Sequence, residues 1–120
     1  MRLVIFGVTL PQNKQVIYSL VTLYGIGLSR STQICSELGL VRKLKVNQLT
    51  EGQQYSIIKK IKEEVIVEGN LEEICKLRLQ KYVSNGSQRG YRLRNGLPVR
   101  GQRTHSNGNT ARKRLQFKKA

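Results

Sequence analysis

The sequence predicts an all-α protein, with a small helical body at 1–86 and a basic, extended C-terminal tail at 87–120. Two observations support the body: apolar residues recur at steps of three and four, as in an amphipathic helix, and alternating strand patterns are almost absent. A third supports the tail. Beyond Gly86 the periodicity disappears, and arginine, lysine and glycine become frequent. We therefore expect one folded domain with one appendage.

The first eleven residues, MRLVIFGVTLP, are predicted to form a short strand or an extended arm. Thr9 and Pro11 interrupt the apolar run too early for the hydrophobic region of a signal peptide. No other run reaches the roughly 18 apolar residues needed to span a bilayer. These patterns favour a soluble protein with no membrane partner.

Two helices are predicted next, over 13–24 and 29–38, because apolar residues line one face of each segment. Ser29 is the expected N-cap of the second helix, and Gly39 is its expected C′ residue. The segment 40–49 is short, mixed and basic, which is typical of a linker.

The two helices are joined by Tyr-Gly-Ile-Gly, which indicates a tight helix hairpin. Backbone amides exposed at the start of a helix can meet a phosphate, so Gly25 and Gly27 are candidates for a backbone contact with nucleic acid. A simple helix connection explains the same residues equally well, since one Gly-x-Gly is a weak motif.

The third and fourth helices are predicted over 50–67 and 70–84. Thr50 and Gln53 have the form of a capping box, and Asn70 begins a weaker version of the same motif. The residues expected on the buried stripes of these two helices are Tyr55, Ile58, Ile61, Val65, Leu71, Ile74, Cys75, Leu79 and Val83.

Charge is distributed very unevenly along the chain. Positions 1–75 hold nine lysines and arginines against seven glutamates, whereas positions 76–120 hold thirteen and no acidic residue, which accounts for +13 of the net +15. Such asymmetry is typical of a segment that binds a polyanion. Only Leu115 and Phe117 could insert into a membrane from the tail, so nucleic acid is the expected partner.

The stretch RGYRLRNGLPVRGQRT, from Arg89 to Thr104, concentrates this charge. An arginine fork fits phosphate oxygens, and glycine lets a backbone approach a bulky ligand. An irregular segment of this kind suits folded RNA better than the uniform major groove of DNA.

Catalytic and metal-binding residues are not recognisable. The sequence contains no Asp, and His105 lies in a basic run without a nearby carboxylate to orient it. A nucleic-acid-modifying enzyme that uses His105 is therefore the weaker alternative. Cys35 and Cys75 stand among apolar neighbours, which indicates core thiols rather than zinc ligands. We expect no enzyme activity, metal or cofactor.

Several motifs resemble the small-subunit ribosomal protein thirteen family, in bacterial-type naming. The most specific is Gly-Leu-Pro-Val-Arg-Gly-Gln-Arg-Thr at 96–104, preceded by Arg-Gly-Tyr-Arg at 89–92. The segments Tyr-Gly-Ile-Gly, Leu-Thr-Glu-Gly-Gln and Val-Glu-Gly-Asn-Leu are similar to that family at similar spacing. The resemblance extends from about Gly7 to Lys119.

The resemblance implies a helix-two-turn-helix body in the head of the small ribosomal subunit, and a tail that threads ribosomal RNA. It implies contacts with small-subunit protein nineteen, with large-subunit protein five and an RNA arm across the subunit interface, and with P-site tRNA. The RNA-binding residues that it implies are Arg89, Arg92, Arg94, Arg100, Arg103, Arg112, Lys113, Arg114, Lys118 and Lys119.

The chain departs from bacterial members just after the Gln-Arg-Thr motif, where Asn109 stands in place of an expected cation. His105 and the lean composition are more similar to organellar members, especially mitochondrial ones, so a mitochondrial ribosome is favoured over a bacterial or plastid one. The alternative function is a free helix-hairpin protein that binds nucleic acid through Gly25 and Gly27.

Overall fold

The computed structural model describes residues 2–113, and helices dominate its secondary structure. The predicted helical class is confirmed. Contacts divide the chain into two compact units, one up to Glu72 and one from Glu73 onward. In chain order the elements are β1 (Val4–Ile5), β2 (Val8–Thr9), α1 (Val16–Leu20), α2 (Leu28–Glu37), a 3-10 turn (Val46–Gln48), α3 (Glu51–Glu64), α4 (Glu68–Ser84), α5 (Gln88–Arg94) and α6 (Asn109–Lys113).

The expected N-terminal strand is present and is paired with a second strand. In the antiparallel hairpin of β1 and β2, Val4 pairs with Thr9 and Ile5 pairs with Val8. The two turn residues, Phe6 and Gly7, both have positive φ, which matches the twist of a two-residue hairpin turn. Strand alternation buries Ile5 and leaves Val4 and Phe6 exposed, so the hairpin covers one side of the core.

The hydrophobic core of the first unit lies between the hairpin, α1, α2 and α3. Two buried serines also join these parts. The Ser19 hydroxyl donates to the Pro11 carbonyl at 3.0 Å, and the Ser31 hydroxyl donates to the Ile17 carbonyl at 2.6 Å. Both hydroxyls are thus satisfied inside the core. The most completely buried apolar side chains include Ile5, Leu10, Leu20, Ile34, Ile57 and Ile61.

Helix α1 is much shorter than the predicted helix over 13–24. Its start is limited by tertiary pairing, because Gln15 forms an isolated antiparallel bridge with Lys45 and the Val16 amide donates to the Leu44 carbonyl. After Leu20 the chain continues in turns. The predicted linker is therefore a fixed part of the unit, and it holds the residues before α1 in an extended conformation.

Helix α2 confirms one predicted cap and corrects the other. It begins at Leu28 after Gly27, without a side-chain cap, so the prediction of Ser29 as N-cap was wrong. Gly39 ends the helix as predicted, with φ of 65°. The Leu40 amide donates to the Cys35 carbonyl and the Gly39 amide to the Ser36 carbonyl, which together form a Schellman motif.

Helix α3 begins with the predicted capping box. The Thr50 amide donates to the Gln53 side chain at 3.1 Å, and the Gln53 amide donates to the Thr50 hydroxyl at 3.4 Å. The helix ends at Glu64 rather than at 67, because Val65 is extended. Tyr55 was wrongly placed on the buried stripe. It lies about 200° around the helix from the fully buried Ile57 and is 69% exposed.

Helix α4 begins at Glu68, so the capping box predicted at Asn70 is not the start of the helix. None of the side chains from Glu68 to Ser84 is fully buried. The predicted core stripe of Leu71, Cys75, Leu79 and Val83 is only half-buried. The body is consequently built from three helices and a hairpin rather than from four helices.

Helix α5 corrects the prediction that helical structure ends at Gly86. Ser87 is its N-cap and accepts from the Gly90 amide at 3.1 Å. At the other end Gly96 has φ of 68°, and the Leu97 amide donates to the Arg92 carbonyl at 2.9 Å. These local caps stabilise a helix that has no continuous apolar stripe. The later α6 is a second helical turn inside the segment that was predicted to be extended.

Between residues 2 and 113, no helix combines the length and the apolar character that crossing a membrane requires.

Candidate nucleic-acid interface

The predicted basic residues that the structure describes lie in the second unit. Arg92 is half-buried, and the others, which include Arg89, Arg94 and Arg100, are exposed. No carboxylate occurs between Lys76 and Lys113 to neutralise them. The exposed arginines therefore form a surface with uncompensated positive charge. Three further predicted contacts, Arg114, Lys118 and Lys119, lie outside the described residues.

The turn between α4 and α5 depends on the absence of a side chain at Gly90. A Cβ built on Gly90 would lie 2.0 Å from the Tyr82 carbonyl oxygen and 2.9 Å from the Val83 Cα. The Ser87 hydroxyl also donates to the same Tyr82 carbonyl, at 2.9 Å. Close backbone contact and this hydrogen bond therefore fix the start of α5 against the end of α4.

The Arg89 guanidinium lies over the ring of Tyr82, near the end of α4. Its Cζ lies 4.7 Å from the centre of the Tyr82 ring, which is within the range of a cation–π interaction. The aromatic face restricts the guanidinium while Arg89 stays exposed. A guanidinium held in this way loses less conformational freedom when it binds a phosphate.

Arg92 has a structural role that its sequence position did not indicate. Its Nε donates to the Pro98 carbonyl at 2.6 Å, so the side chain ties the loop after α5 back onto that helix. Nε is only one of the donor groups of a guanidinium. The prediction that Arg92 contacts RNA therefore applies to its terminal nitrogens, while its Nε holds the loop.

An open groove of about 650 Å³ lies between α5 and α6, and we call it the α5–α6 groove. Its lining is partly apolar and partly polar, and Arg100 and Arg103 are among the polar lining residues. A second, more polar groove of about 550 Å³ is lined by Arg89, Arg92 and Gln102. We call the apolar lining residues Leu93, Leu97, Pro98 and Val99 the floor of the α5–α6 groove, and its polar lining residues the rim.

The two hairpin glycines belong to the first unit and have different surroundings. A Cβ built on Gly25 would lie 2.8 Å from Leu71 Cδ2 and 3.0 Å from the Ile66 carbonyl, and its φ is 106°. Gly27, in contrast, is exposed and has open space around it. Packing explains why residue 25 is a glycine, and the predicted backbone contact of Gly25 and Gly27 with a phosphate stays a prediction.

A carboxylate occupies the neighbourhood of this hairpin. The Tyr24 amide donates to Glu68 Oε1 at 2.8 Å, and the Glu68 amide donates to the Tyr24 carbonyl at 2.9 Å. Glu68 adopts φ of 51°, an uncommon conformation that this pair of bonds holds in place. A negative charge beside Tyr24 disfavours a phosphate on that side of the hairpin.

The histidine and the two cysteines are the residues that could have carried catalysis or bound a metal. His105 is exposed, and its Nδ1 lies 3.3 Å from the Ser106 hydroxyl. Cys35 is buried, which raises the pKa of its thiol, and Cys75 is half-buried, so only the first fits the predicted core thiol. In the part of the chain that the structure describes, no group of three or more His, Cys, Asp or Glu side chains is placed to hold a metal ion.

Comparison with known proteins supports the family resemblance noted in the sequence. Residues 4–110 match the family model described as ribosomal protein S13/S18. A curated relative, small ribosomal subunit protein uS13m of Marchantia polymorpha, is 41% identical over 109 residues, which cover 91% of each chain. The family match includes the first unit and the arginine segment up to Arg103, and it ends before Arg112.

Proposed function

Because this chain belongs to the ribosomal protein S13/S18 family, whose members are structural ribosomal components rather than enzymes, we propose that it is a constituent of the small subunit of the mitochondrial ribosome. The observation that carries the proposal is the family match over residues 4–110. The mitochondrial location rests on the likeness to uS13m of Marchantia polymorpha.

The second unit is proposed to attach the protein to ribosomal RNA. Its exposed arginines lie in a region without carboxylates, so phosphate is the natural counter-charge. Arg89 is restricted by Tyr82, and the loop that carries Arg100 and Arg103 is tied to α5 through Arg92. Binding then orders few additional side chains, which supports positioning of folded RNA as well as neutralisation.

The first unit is proposed to make the protein contacts. It carries little net charge, with nine cationic against six acidic side chains up to Glu72, and it exposes apolar residues such as Val21, Leu28 and Ile66. Such a surface suits protein neighbours better than a polyanion. Small-subunit protein nineteen and, across the subunit interface, large-subunit protein five with an RNA arm are the proposed neighbours of the protein.

The C-terminal end is proposed to approach P-site tRNA. Arg112 and Lys113 are exposed on α6, at the end of the described chain. With Arg114, Lys118 and Lys119 they form a cationic end that suits a tRNA phosphate backbone. Asn109 stands near this end in place of the cation expected from bacterial members, so we propose that this contact carries less positive charge here.

The proposal is tested by sedimentation of the tagged chain with small ribosomal subunits at physiological salt. We expect the wild type to co-sediment. Arg100→Glu and Arg103→Glu, made as two separate variants, should each lose a large part of the bound fraction, whereas Lys14→Glu, a reversal of equal size on the exposed surface of the first unit, should lose little. A wild-type chain found only in the free fractions would contradict the ribosomal function, and equal losses in all three variants would show that net charge alone determines binding.

A further inference from the structure

We propose that the α5–α6 groove binds one unpaired RNA nucleotide, with its base on the apolar floor and its phosphate on the arginine rim. The inference rests on the proposed function, since it specifies the ligand that the RNA-binding segment accepts. It follows from the chemistry of the floor, the chemistry of the rim and the size of the groove.

The floor is apolar and accessible. Leu93, Leu97, Pro98 and Val99 line it, and each is only half-buried. Among the described residues from Glu73 onward, only Gly90 and Gly96 are fully buried. The described part of this unit therefore has no hydrophobic core that could bury these four side chains. A nucleobase presents two apolar faces, and it stacks on aliphatic as well as aromatic side chains. Binding a base would therefore cover apolar area that the free chain leaves exposed.

The rim carries groups that suit both the phosphate and the polar edge of a nucleobase. Arg100 and Arg103 are both exposed and line the groove, and no carboxylate lies in the chain between Lys76 and Lys113. Uncharged groups complete the rim, including the amides of Gln102 and Asn107. Arginine suits the phosphate, and amide groups provide both donors and acceptors for a base edge.

The size of the groove fits one nucleotide better than a helix of RNA. Its volume of about 650 Å³ lies within the range of roughly 300–1,000 Å³ that small-ligand sites occupy. A base in a duplex is stacked and paired, so only an unpaired base can enter such a space. The neighbouring polar groove shares Val99 and Gln102 with it and carries Arg89 and Arg92, which could receive the adjacent phosphate.

The groove is held open by contacts within the second unit. Arg92 Nε holds the Pro98 carbonyl at 2.6 Å, which fixes one wall to α5. Gly108, just before α6, lies beside the ring of the same proline, since a Cβ built on it would be 3.5 Å from Pro98 Cγ. Pro98 thus joins both walls, so the site needs little rearrangement before binding.

The test compares two labelled strands by fluorescence anisotropy with the full chain at one fixed ionic strength. One strand is a short oligouridine, and the other is an abasic strand of equal length and charge. We expect the wild type to bind the oligouridine about tenfold more tightly, as one stacked base would produce. Ala111→Phe, which fills the groove from α6, and Leu97→Ala, which removes part of the floor, should reduce the difference to about twofold or less. Leu77→Ala is the matched control, because Leu77 is an exposed apolar residue of α4 outside the groove, and it should keep the full difference.

Each outcome decides the question. Equal binding of both strands by the wild type would overturn the groove proposal while leaving the ribosomal function intact. No binding of either strand would likewise overturn the groove proposal, because co-sedimentation tests the ribosomal function separately. A difference that survives in both groove variants would place the base contact elsewhere. Groove variants that reduce only co-sedimentation would indicate a protein ligand. Should a groove variant fail to fold by circular dichroism, 4-thiouridine crosslinking of the wild type decides: adducts within 93–111 support the site, and adducts elsewhere refute it.

Discussion

Gly90 lies closer to another backbone segment than any side chain would allow. Replacing it with alanine would force the start of α5 away from Tyr82, because the new Cβ would meet the carbonyl oxygen at 2.0 Å. We expect Gly90→Ala to destabilise the α4–α5 turn by about 1–3 kcal/mol, as overpacking does. Hydrogen exchange of the α5 amides is the measurement.

Gly69→Ala is the control for this prediction. Gly69 lies in the first turn of α4, with open space around its Cα, so alanine there should leave α5 unchanged and stabilise its own helix by up to about 1 kcal/mol. If Gly90→Ala left the exchange of α5 as slow as in the wild type, the proposed closeness of the two backbones would be wrong.

Glu37, Lys60 and Glu64 form an ion-pair network between α2 and α3. The hydrogen bond from Lys60 holds the pKa of Glu37 below its ordinary value, and both carboxylates raise the pKa of Lys60. A lowered carboxyl pKa contributes stability that is present above the unfolded pKa and is lost as pH falls through the folded pKa. For Lys60 the pKa is raised instead, so the stability that its charge contributes is present at neutral pH and is lost only at strongly alkaline pH.

Glu37→Gln should therefore lower the melting temperature slightly at pH 7, and the difference from wild type should begin to shrink as pH falls below about 4.3, the ordinary pKa of Glu, and vanish at still more acidic pH. The effect should be small because the two carboxylates are exposed to solvent, which screens the ion pairs. Thermal unfolding at several pH values measures it, with Glu63→Gln on the exposed surface of α3 as control. A difference that stayed constant from neutral to acidic pH would exclude an ionic origin.

At the scale of elements, the α1–α2 hairpin offers a clear choice between packing and ligand binding. Gly25→Ala should lower the thermal stability of the first unit, because the methyl group would meet Leu71 and because φ of 106° is strained for alanine. Gly27→Ala should be nearly neutral, since its φ of −95° suits alanine and its surroundings are open.

Measuring RNA affinity of the same two variants separates the ribosomal proposal from the free helix-hairpin alternative. We expect Gly27→Ala to bind RNA as the wild type does, because we propose that the exposed arginines of the second unit make the phosphate contacts. A loss of affinity in Gly27→Ala without a loss of stability would favour the hairpin as the binding site.

The elements that the sequence predicted correctly are those determined by neighbouring residues. The capping box of Thr50 and Gln53 and the C′ glycine at Gly39 need only a few adjacent positions, and both were found as predicted. Helix α1 was predicted too long because its limit comes from Lys45, which lies thirty positions from Gln15. Helix α5 was missed because its signals are caps at Ser87 and Gly96 rather than an apolar period.

The candidate site was predictable in its charge and not in its geometry. Arginine and glycine content indicated a segment that binds a polyanion, with folded RNA preferred over DNA. The role of Arg92 in holding the loop depends on the position of the Pro98 carbonyl, and the platform under Arg89 depends on Tyr82 in the preceding helix. Such contacts become visible only once the turn between α4 and α5 is known.

At the scale of the whole molecule, the uneven charge makes RNA binding strongly dependent on salt. If six to ten cations meet phosphates, affinity for structured small-subunit RNA should fall roughly 10³ to 10⁵-fold between about 50 and 200 mM salt. Removing Arg100 and Arg103 as alanines should reduce the slope of log affinity against log salt by about two. An affinity that changed little with salt would show that contacts other than phosphate pairing dominate.

The weak burial of α4 affects the expected abundance of this protein in the cell. Seventeen residues of helix without one fully buried side chain open easily to proteases when no neighbour covers them. We expect copies made in excess of their ribosomal sites to be degraded first along this helix. The abundance of the chain would then follow the number of subunits under construction rather than its own rate of synthesis.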